Sequence, residues 1–159
     1  MPTPQEMENN AVVRRLRELA PHGIEELISS RGELTIVVPR EQIRRVAEIL
    51  QGDPELAFTY LSDVTGVDRA PVEPRLEVNY HLVSLLRKER LRLKVRLGST
   101  KPTVESVTSV WEGANWHERE VFDLFGVRFE GHPDLRRILL PETFEGHPLR
   151  KDFPVEGFR

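Results

Sequence analysis

The sequence predicts an α+β fold, a mostly antiparallel sheet with helices on one face, followed by an extended, proline-rich C-terminal tail. Two segments, 75–82 and 90–97, alternate apolar and polar residues with the two-residue period of half-buried strands. Shorter segments before them space their apolar residues as amphipathic helices do. From Gly131 onward, recurring prolines prevent long regular structure, which predicts the extended tail.

The N-terminal half of the chain predicts helices and strands in mixed order. They are a helix over 10–20, strands over 24–30 and 34–38, a helix over 40–51 and a strand over 56–61. The first helix places Val12, Leu16 and Leu19 on one face, and a turn at 31–32 joins the first two strands. The polar residues of 63–68 predict a loop.

The hairpin of 75–82 and 90–97 has a register that the sequence specifies. Pairing Leu82 with Leu91 keeps the apolar residues of both strands on one face, whereas a one-residue slip would set leucines opposite arginines. The same register pairs Tyr80 with Leu93, Glu77 with Arg96 and His81 with Arg92. The other face of the second strand then carries Arg90, Arg92, Lys94 and Arg96. Because no aromatic side chains interleave with these cations, we expect this face to be solvated or to dock a protein, rather than to bind nucleic acid.

The residues after this hairpin predict two helices. Thr103 is placed as the N-cap of the first. Its apolar face would hold Val104, Val107 and Trp111. Asn115 and Glu118 have the spacing of a capping box that opens the second helix. Within that helix, Arg119 and Asp123 are expected to pair one turn apart.

Gly126 suits a helix end and divides the chain into a predicted α+β domain, 1–126, and a tail, 127–159. The net charge of −3 lies in residues 111–159, which hold 7 Lys+Arg and 10 Asp+Glu. The tail is too apolar for a solvated linker and poorly suited to fold alone. We therefore expect it to be ordered by a partner, so that its amides exchange quickly in the isolated chain.

Composition excludes several classes of function. The sequence has no cysteine, so it cannot form a disulfide, hold a thiolate-bound iron–sulfur cluster or use a cysteine nucleophile. Its net charge of −3 gives no global basic field that would attract nucleic acid. No apolar run approaches the roughly 18–20 residues that cross a bilayer, and the polar N-terminus argues against a signal or transit peptide. We therefore expect a cytoplasmic protein.

Histidine motifs offer candidate metal or acid–base chemistry. The sequence from His117 begins like the zinc-protease motif H-E-x-x-H, but Val121 stands where the second histidine is needed. Glu-Gly-His-Pro occurs twice, at 130–133 and at 145–148. We interpret each copy as a tight turn whose histidine binds a backbone group. The alternative is a stand-alone metal enzyme that uses His117, Glu120, His132 and His147.

The residues from Trp111 onward resemble a known family. Trp-Glu-Gly-Ala-Asn-Trp at 111–116 leads into Glu-Arg-Glu-Val-Phe-Asp-Leu-Phe-Gly at 118–126. Phe-Glu-Gly-His-Pro-Asp-Leu-Arg-Arg-Ile-Leu follows at 129–139, and Glu-Gly-His-Pro-Leu-Arg-Lys-Asp-Phe-Pro at 145–154. These blocks are similar to those of the C subunit of respiratory complex I, the proton-translocating NADH:quinone oxidoreductase. The J subunit of the photosynthetic NDH complex is similar too.

The resemblance implies a structural subunit of the peripheral arm of complex I, one that helps to assemble the quinone-reducing module. The complex couples NADH oxidation and quinone reduction to proton translocation and uses NADH, FMN, iron–sulfur clusters and a quinone. The resemblance implies no cofactor, metal or catalytic residue in this chain. It implies peripheral-arm partners, chiefly the D and B subunits, on the cytoplasmic side of the bacterial membrane. The chain would meet the membrane only through the complex and would not bind nucleic acid.

The motif residues then carry assembly, and we expect arginines among them to face partner carboxylates. The expected partner-binding residues are Glu118, Arg119, Glu120, Asp123, His132, Asp134, Arg136, Arg137, His147, Arg150, Lys151 and Asp152. An alternative is the equivalent subunit of a ferredoxin-dependent NDH complex or of a membrane-bound hydrogenase, because the electron donor binds elsewhere in such complexes.

Overall fold

The computed structural model of the protein describes residues 2–158 and has the predicted α+β architecture. The helices are α1 (Pro4–Glu8), α2 (Ala11–Leu19), α3 (Ile43–Gly52), which follows a single 3₁₀ turn (Arg40–Gln42), and α4 (Ala114–Phe125). The strands are β1 (Glu26–Ser30), β2 (Glu33–Val37), β3 (Tyr60–Asp68), β4 (Leu76–Ser84), β5 (Glu89–Leu97), β6 (Thr103–Glu105) and β7 (Arg128–Glu130). Across the described residues, the main sheet has the order β1-β2-β5-β4-β3. Its neighbours are antiparallel except for the parallel pair β2–β5, so the prediction of a mostly antiparallel sheet is confirmed.

The core lies between one face of this sheet and the helices. The predicted hairpin register is confirmed, with Leu82 opposite Leu91 and the three further pairs in place. Tyr80 and its apolar neighbours on β4 and β5 are buried together with Leu16 of α2 and Leu50 of α3. Among the described residues, we find no helix with the length and apolar character needed to cross a bilayer.

Helix α4 packs against β3 at a glycine. A Cβ atom at Gly66 would lie 2.5 Å from the ring of Phe125, so this position has room for hydrogen alone. Glycine is therefore required here by close packing, which lets the last turn of α4 rest on the strand. This contact fixes α4 above the sheet and determines where the tail that follows it can run.

The helix expected from Thr103 is wrong. Residues 103–105 form β6, which pairs in parallel with β7 so that Val104 lies opposite Phe129. Val107 and Trp111 are both buried, but they lie in a segment of turns and irregular structure and do not share a helical face. The apolar spacing allowed a helix, but pairing with a strand beyond α4 decided the outcome, and local spacing carries no record of such pairing.

The strand expected over 56–61 and the loop expected over 63–68 are also displaced. Leu56 and Phe58 are buried, but the chain turns between them, with Ala57 at φ 46°. The strand is β3, which covers the segment expected to be a loop. β3 is an edge strand with one uncovered face. The polar side chains on that face give the segment a loop-like composition, which is why its sequence predicted a loop.

Candidate functional site

The site is built from α4 and the tail that follows it. Gly113 precedes the helix, and no side chain of the described residues caps it, so the expected capping box of Asn115 and Glu118 is wrong. Glu118 points inward and is fully buried. Its carboxylate accepts bonds of 2.7 Å from the Ser106 hydroxyl and 2.7 Å from the Val107 amide. Burial raises the pKa of Glu118 to about 7 and outweighs these two bonds, which lower it.

Asp123 anchors the first part of the tail. Its Oδ2 accepts the amides of three consecutive residues, at 3.1, 2.8 and 3.0 Å, and its Oδ1 accepts Arg137 at 2.6 Å. The three amides belong to Ile138, Leu139 and Leu140. Burial by itself raises the pKa of Asp123. The hydrogen bonds lower it by more than burial raises it, so the pKa lies below its usual value and the carboxylate stays ionised. The predicted pair with Arg119 is therefore wrong, because Arg137 is the ionic partner.

Arg119 bonds to the two residues just before these three amides. Its guanidinium donates to the carbonyl oxygens of Arg136 and Arg137, at 3.1 and 3.0 Å. It also lies over the ring of Trp116, 5.3 Å from the centroid. The side chains of Arg119 and Arg137 thus bond to groups of their own chain.

The histidines of the two Glu-Gly-His-Pro copies bond to backbone carbonyls near opposite ends of α4. The Nδ1 atom of His132 accepts the Asp134 amide at 3.0 Å, so its Nε2 carries the proton and donates to the Asn115 carbonyl at 3.0 Å. His147 donates from Nδ1 to the Asp123 carbonyl at 2.8 Å, at the other end of the helix. The interpretation of two turns whose histidines bind backbone groups is confirmed.

A second anchor, Asp68, holds the end of the tail. It accepts the Lys151 amide at 2.7 Å and two bonds from Arg75, at 2.7 and 2.8 Å. These bonds, led by Arg75, hold the pKa of Asp68 well below its usual range. Arg75 also pairs with Asp152, at 2.9 Å, and lowers its pKa to about 2. The backbone amide of Leu149 donates to the carbonyl oxygen of Leu124, near the C-terminal end of α4.

Sequence reasoning did not single out Asp68 or Arg75. Asp68 falls in the segment expected to be a loop, and Arg75 is one of several polar residues that alternate along the first strand of the hairpin. The local signal was an acid and a base on either side of a proline-containing turn. Such a pair suggests a braced turn, but nothing near it in sequence indicates that the tail returns there.

The structure places the expected site residues in two groups. The first group bonds within the chain around α4 and comprises Glu118, Arg119, Asp123, His132, Arg137 and His147. The second group bonds near Asp68, Arg75 and Phe125 and comprises Arg150, Lys151 and Asp152. Glu120, Asp134 and Arg136 remain exposed, the last two as a pair at 2.8 Å. Contact of any of these residues with another subunit stays a prediction.

The residues of the metal-enzyme hypothesis are not brought together. His132 and His147 bond to the carbonyls of Asn115 and Asp123, near opposite ends of α4, which a helical rise of about 1.5 Å per residue separates by about 12 Å. His117 lies beside Asp63 on β3, at 3.1 Å. Within residues 2–158, no group of three or more histidine, aspartate or glutamate side chains is arranged to hold a metal ion.

Comparison with known proteins gives concordant matches. The family model described as "Respiratory-chain NADH dehydrogenase, 30 Kd subunit" matches residues 36–159. The chain is 49% identical over 149 residues to the C subunit of NADH-quinone oxidoreductase from Roseiflexus sp. (strain RS-1), covering 94% of this chain and 86% of that protein. It is similar to a solved structure of "Nqo5 of the trypsin-resistant fragment (1-134)", with TM-score 0.64, 36% identity and coverage of 77% of this chain and 97% of that one. A chain of the "membrane-bound sulfane sulfur reductase (MBS), an archaeal respiratory membrane complex" has TM-score 0.71 and 27% identity, over 93% of this chain and 86% of that one.

Proposed function

The chain belongs to the 30 kDa subunit family of respiratory-chain NADH dehydrogenase, and we propose that it is a cofactor-free structural subunit of the peripheral arm of NADH:quinone oxidoreductase. The observation that carries this proposal is the near full-length similarity to the C subunit of such an enzyme. Residue chemistry supports a structural role, because the sequence has no cysteine and cannot supply thiolate ligands to an iron–sulfur cluster. The charged residues of the site support it too, since most of them fix the path of the tail.

In this role the chain helps to hold together the quinone-reducing module, with the D and B subunits as its chief neighbours. It sits on the cytoplasmic side of the bacterial membrane and reaches the membrane only through the complex. The NADH, FMN, iron–sulfur clusters and quinone of the complex are then held by other subunits. The chain contributes to the coupling of electron transfer and proton translocation by keeping those subunits in place.

Purification tests the proposal in two forms of the protein. The full chain produced alone should contain no flavin and no iron and should not oxidise NADH. The tagged chain isolated from native membranes should bring with it the D and B subunits in equal amounts. A stoichiometric cluster or flavin in the chain produced alone would overturn the cofactor-free role, and a tagged chain that returns from membranes alone would overturn the role as a subunit.

A second candidate is the equivalent subunit of a complex with a different electron donor or acceptor. The observation that favours it is the similarity to a chain of an archaeal sulfane sulfur reductase complex. The donor-side subunits that co-purify from membranes distinguish the two candidates. NADH oxidation by the purified complex, together with flavin-containing subunits, supports the first candidate, and their absence with ferredoxin-linked activity supports the second.

A further inference from the structure

Large apolar side chains lie in solvent along α4. Trp116 is 62% exposed, Leu139 is 61% exposed and Leu149 is 52% exposed. Trp116 and Asp123 share one row of the helix, and the amide of Leu139 is bonded to Asp123, so the first two side chains follow that row. The amide of Leu149 is bonded to Leu124, which places the third at the C-terminal end of the same helix. Together they give α4 an apolar outer edge.

The exposed charge near this edge is negative. Among the described residues, three exposed carboxylates of α4 and of residues 131–149 have no salt-bridge partner: Glu120, Glu142 and Glu145. The arginines of the same stretch do not balance them. Arg119 and Arg137 are turned onto groups of their own chain, and the exposed Arg136 is paired with Asp134, so neither described segment has an exposed arginine without an acidic partner.

The exposed charge of this region is opposite in sign to the charge that the sequence suggested for a contact with another subunit. Arginines were expected to face carboxylates of a partner, but Arg119 and Arg137 are occupied inside the chain, and carboxylates face outward. Unpaired surface carboxylates attract basic groups and repel acidic ones. Aromatic and aliphatic side chains at the centre of such a region are the usual anchors of a protein interface.

We propose that α4 and residues 131–149 form one docking surface, the α4–tail surface, that receives a basic segment of a neighbouring protein subunit. Trp116 and Leu139 anchor the apolar part of that segment, and Glu120 and Glu142 face its lysines or arginines. The proposal rests on the proposed function, which supplies the neighbouring subunit, and adds the location and the chemistry of the contact.

Carbodiimide cross-linking of the intact native complex tests the location. This reagent joins a carboxylate directly to a lysine that touches it. We expect cross-linked peptides in which Glu120, Glu142 or Glu145 is joined to a lysine of another subunit. Cross-links to other subunits that start elsewhere in the chain, with none from these carboxylates, would overturn the proposal.

Charge reversal tests the chemistry, with Glu120→Lys as the variant and Glu25→Lys as its matched control. Both glutamates are exposed, and Glu25 adjoins β1, at the opposite edge of the sheet from β3 on which α4 rests. The tagged variants are isolated with the complex from membranes, and their melting temperatures are measured as isolated chains. We expect Glu120→Lys to lower retention in the complex by about tenfold or more, because a lysine there repels the basic segment. Glu25→Lys should match the wild-type chain.

Equal retention of the two variants would overturn the α4–tail surface while leaving the proposed function intact. A wild-type chain that brings no subunit with it would instead overturn the proposed function. Trp116→Ala gives a second readout that does not depend on charge. We expect it to lower retention with only a small fall in melting temperature, from the lost Arg119 contact, and wild-type retention would count against the apolar anchor.

Discussion

Asp123 shows how one side chain can determine the path of a whole segment. Its buried carboxylate accepts three consecutive amides and the guanidinium of Arg137. A carboxylate has enough acceptor sites for all four donors, whereas an amide side chain has one acceptor oxygen and adds two donors. The residue is therefore specific in its chemistry as well as in its size.

We expect Asp123→Asn to lower the free energy of unfolding by about 2–4 kcal/mol, because the partly buried Arg137 loses its charged partner and an amide nitrogen replaces one acceptor oxygen. Urea unfolding of the full chain at pH 7 measures the change. Glu120→Gln, an exposed change on the same helix, should stay within about 0.5 kcal/mol of the wild-type chain. Similar values for the two variants would contradict the anchoring role.

Glu118 makes stability depend on pH in the opposite direction to the anchoring aspartates. Burial raises its pKa from 4.5 to about 7, so the folded chain keeps a proton that the unfolded chain releases above about pH 4.5. Its contribution to stability is complete below pH 4.5 and is lost as the pH rises through 7. The anchors Asp68 and Asp123 have lowered pKa values, so their contributions are lost as the pH falls.

Glu118→Gln isolates this effect, because glutamine can accept the Val107 amide and donate to Ser106 as a protonated glutamate would. We expect the stability of the variant relative to the wild-type chain to rise by roughly 3 kcal/mol between pH 4.5 and 8. Urea unfolding across this pH range measures it, with Glu120→Gln as the exposed control. Wild-type and Glu118→Gln curves that run parallel would show that Glu118 titrates normally.

At the scale of elements, the packing of α4 on β3 depends on a missing side chain. We expect Gly66→Ala to lower the free energy of unfolding by about 1–3 kcal/mol, because the new methyl group meets the ring of Phe125. Gly52→Ala is the matched control, since a Cβ there meets no atom of the described residues within 4 Å. Thermal or urea unfolding compares the two. A Gly66→Ala chain as stable as Gly52→Ala would mean that α4 shifts without cost.

Elements with a sustained local pattern could be predicted from the sequence, and those made by distant pairing could not. The two-residue period of β4 and β5 predicts the correct register, and Gly126 ends α4 in the left-handed conformation expected of it. The strand β6 has the apolar spacing of a helix, and its partner, β7, lies beyond α4. The contact that decides its structure is therefore remote in sequence.

The site followed the same rule. The residue types and the two histidine turns were recognisable, but spacing alone pairs Glu118 and Asp123 with neighbours one turn away. Both side chains instead bond to segments outside the helix, Glu118 to residues before it and Asp123 to the tail. Spacing within a helix shows which side chains could meet, and it carries no information on a segment that folds over them.

At the scale of the whole molecule, two buried aspartates are among the groups that bond the tail to the rest of the chain. Asp123 holds residues 138–140, and Asp68 holds the Lys151 amide. The expectation that the entire tail exchanges quickly without a partner therefore needs revision. Amides at these positions, and the amide of Leu149 between them, have acceptors within the chain, so we expect them to exchange slowly without a partner.

We expect hydrogen exchange of the isolated full chain to show slow amides at 138–140 and 151. Asp123→Asn should speed exchange at 138–140 and leave Lys151 slow, and Asp68→Asn should do the reverse. Mass spectrometry or NMR of both variants measures this. Fast exchange at all these positions in the wild-type chain would show that a partner is needed to order the tail.

The two histidine turns, each bonded to a carbonyl of α4, also constrain how the chain can change in length during evolution. His132 and His147 hold carbonyl oxygens at Asn115 and Asp123, so the segment between the histidines must span a fixed stretch of α4. One more helical turn between those carbonyls would move them apart by about 5.4 Å. Insertions or deletions in α4 therefore require a compensating change in 133–146, whereas sequence beyond Asp152 is free of this coupling. Among relatives, indels in these two segments should occur together.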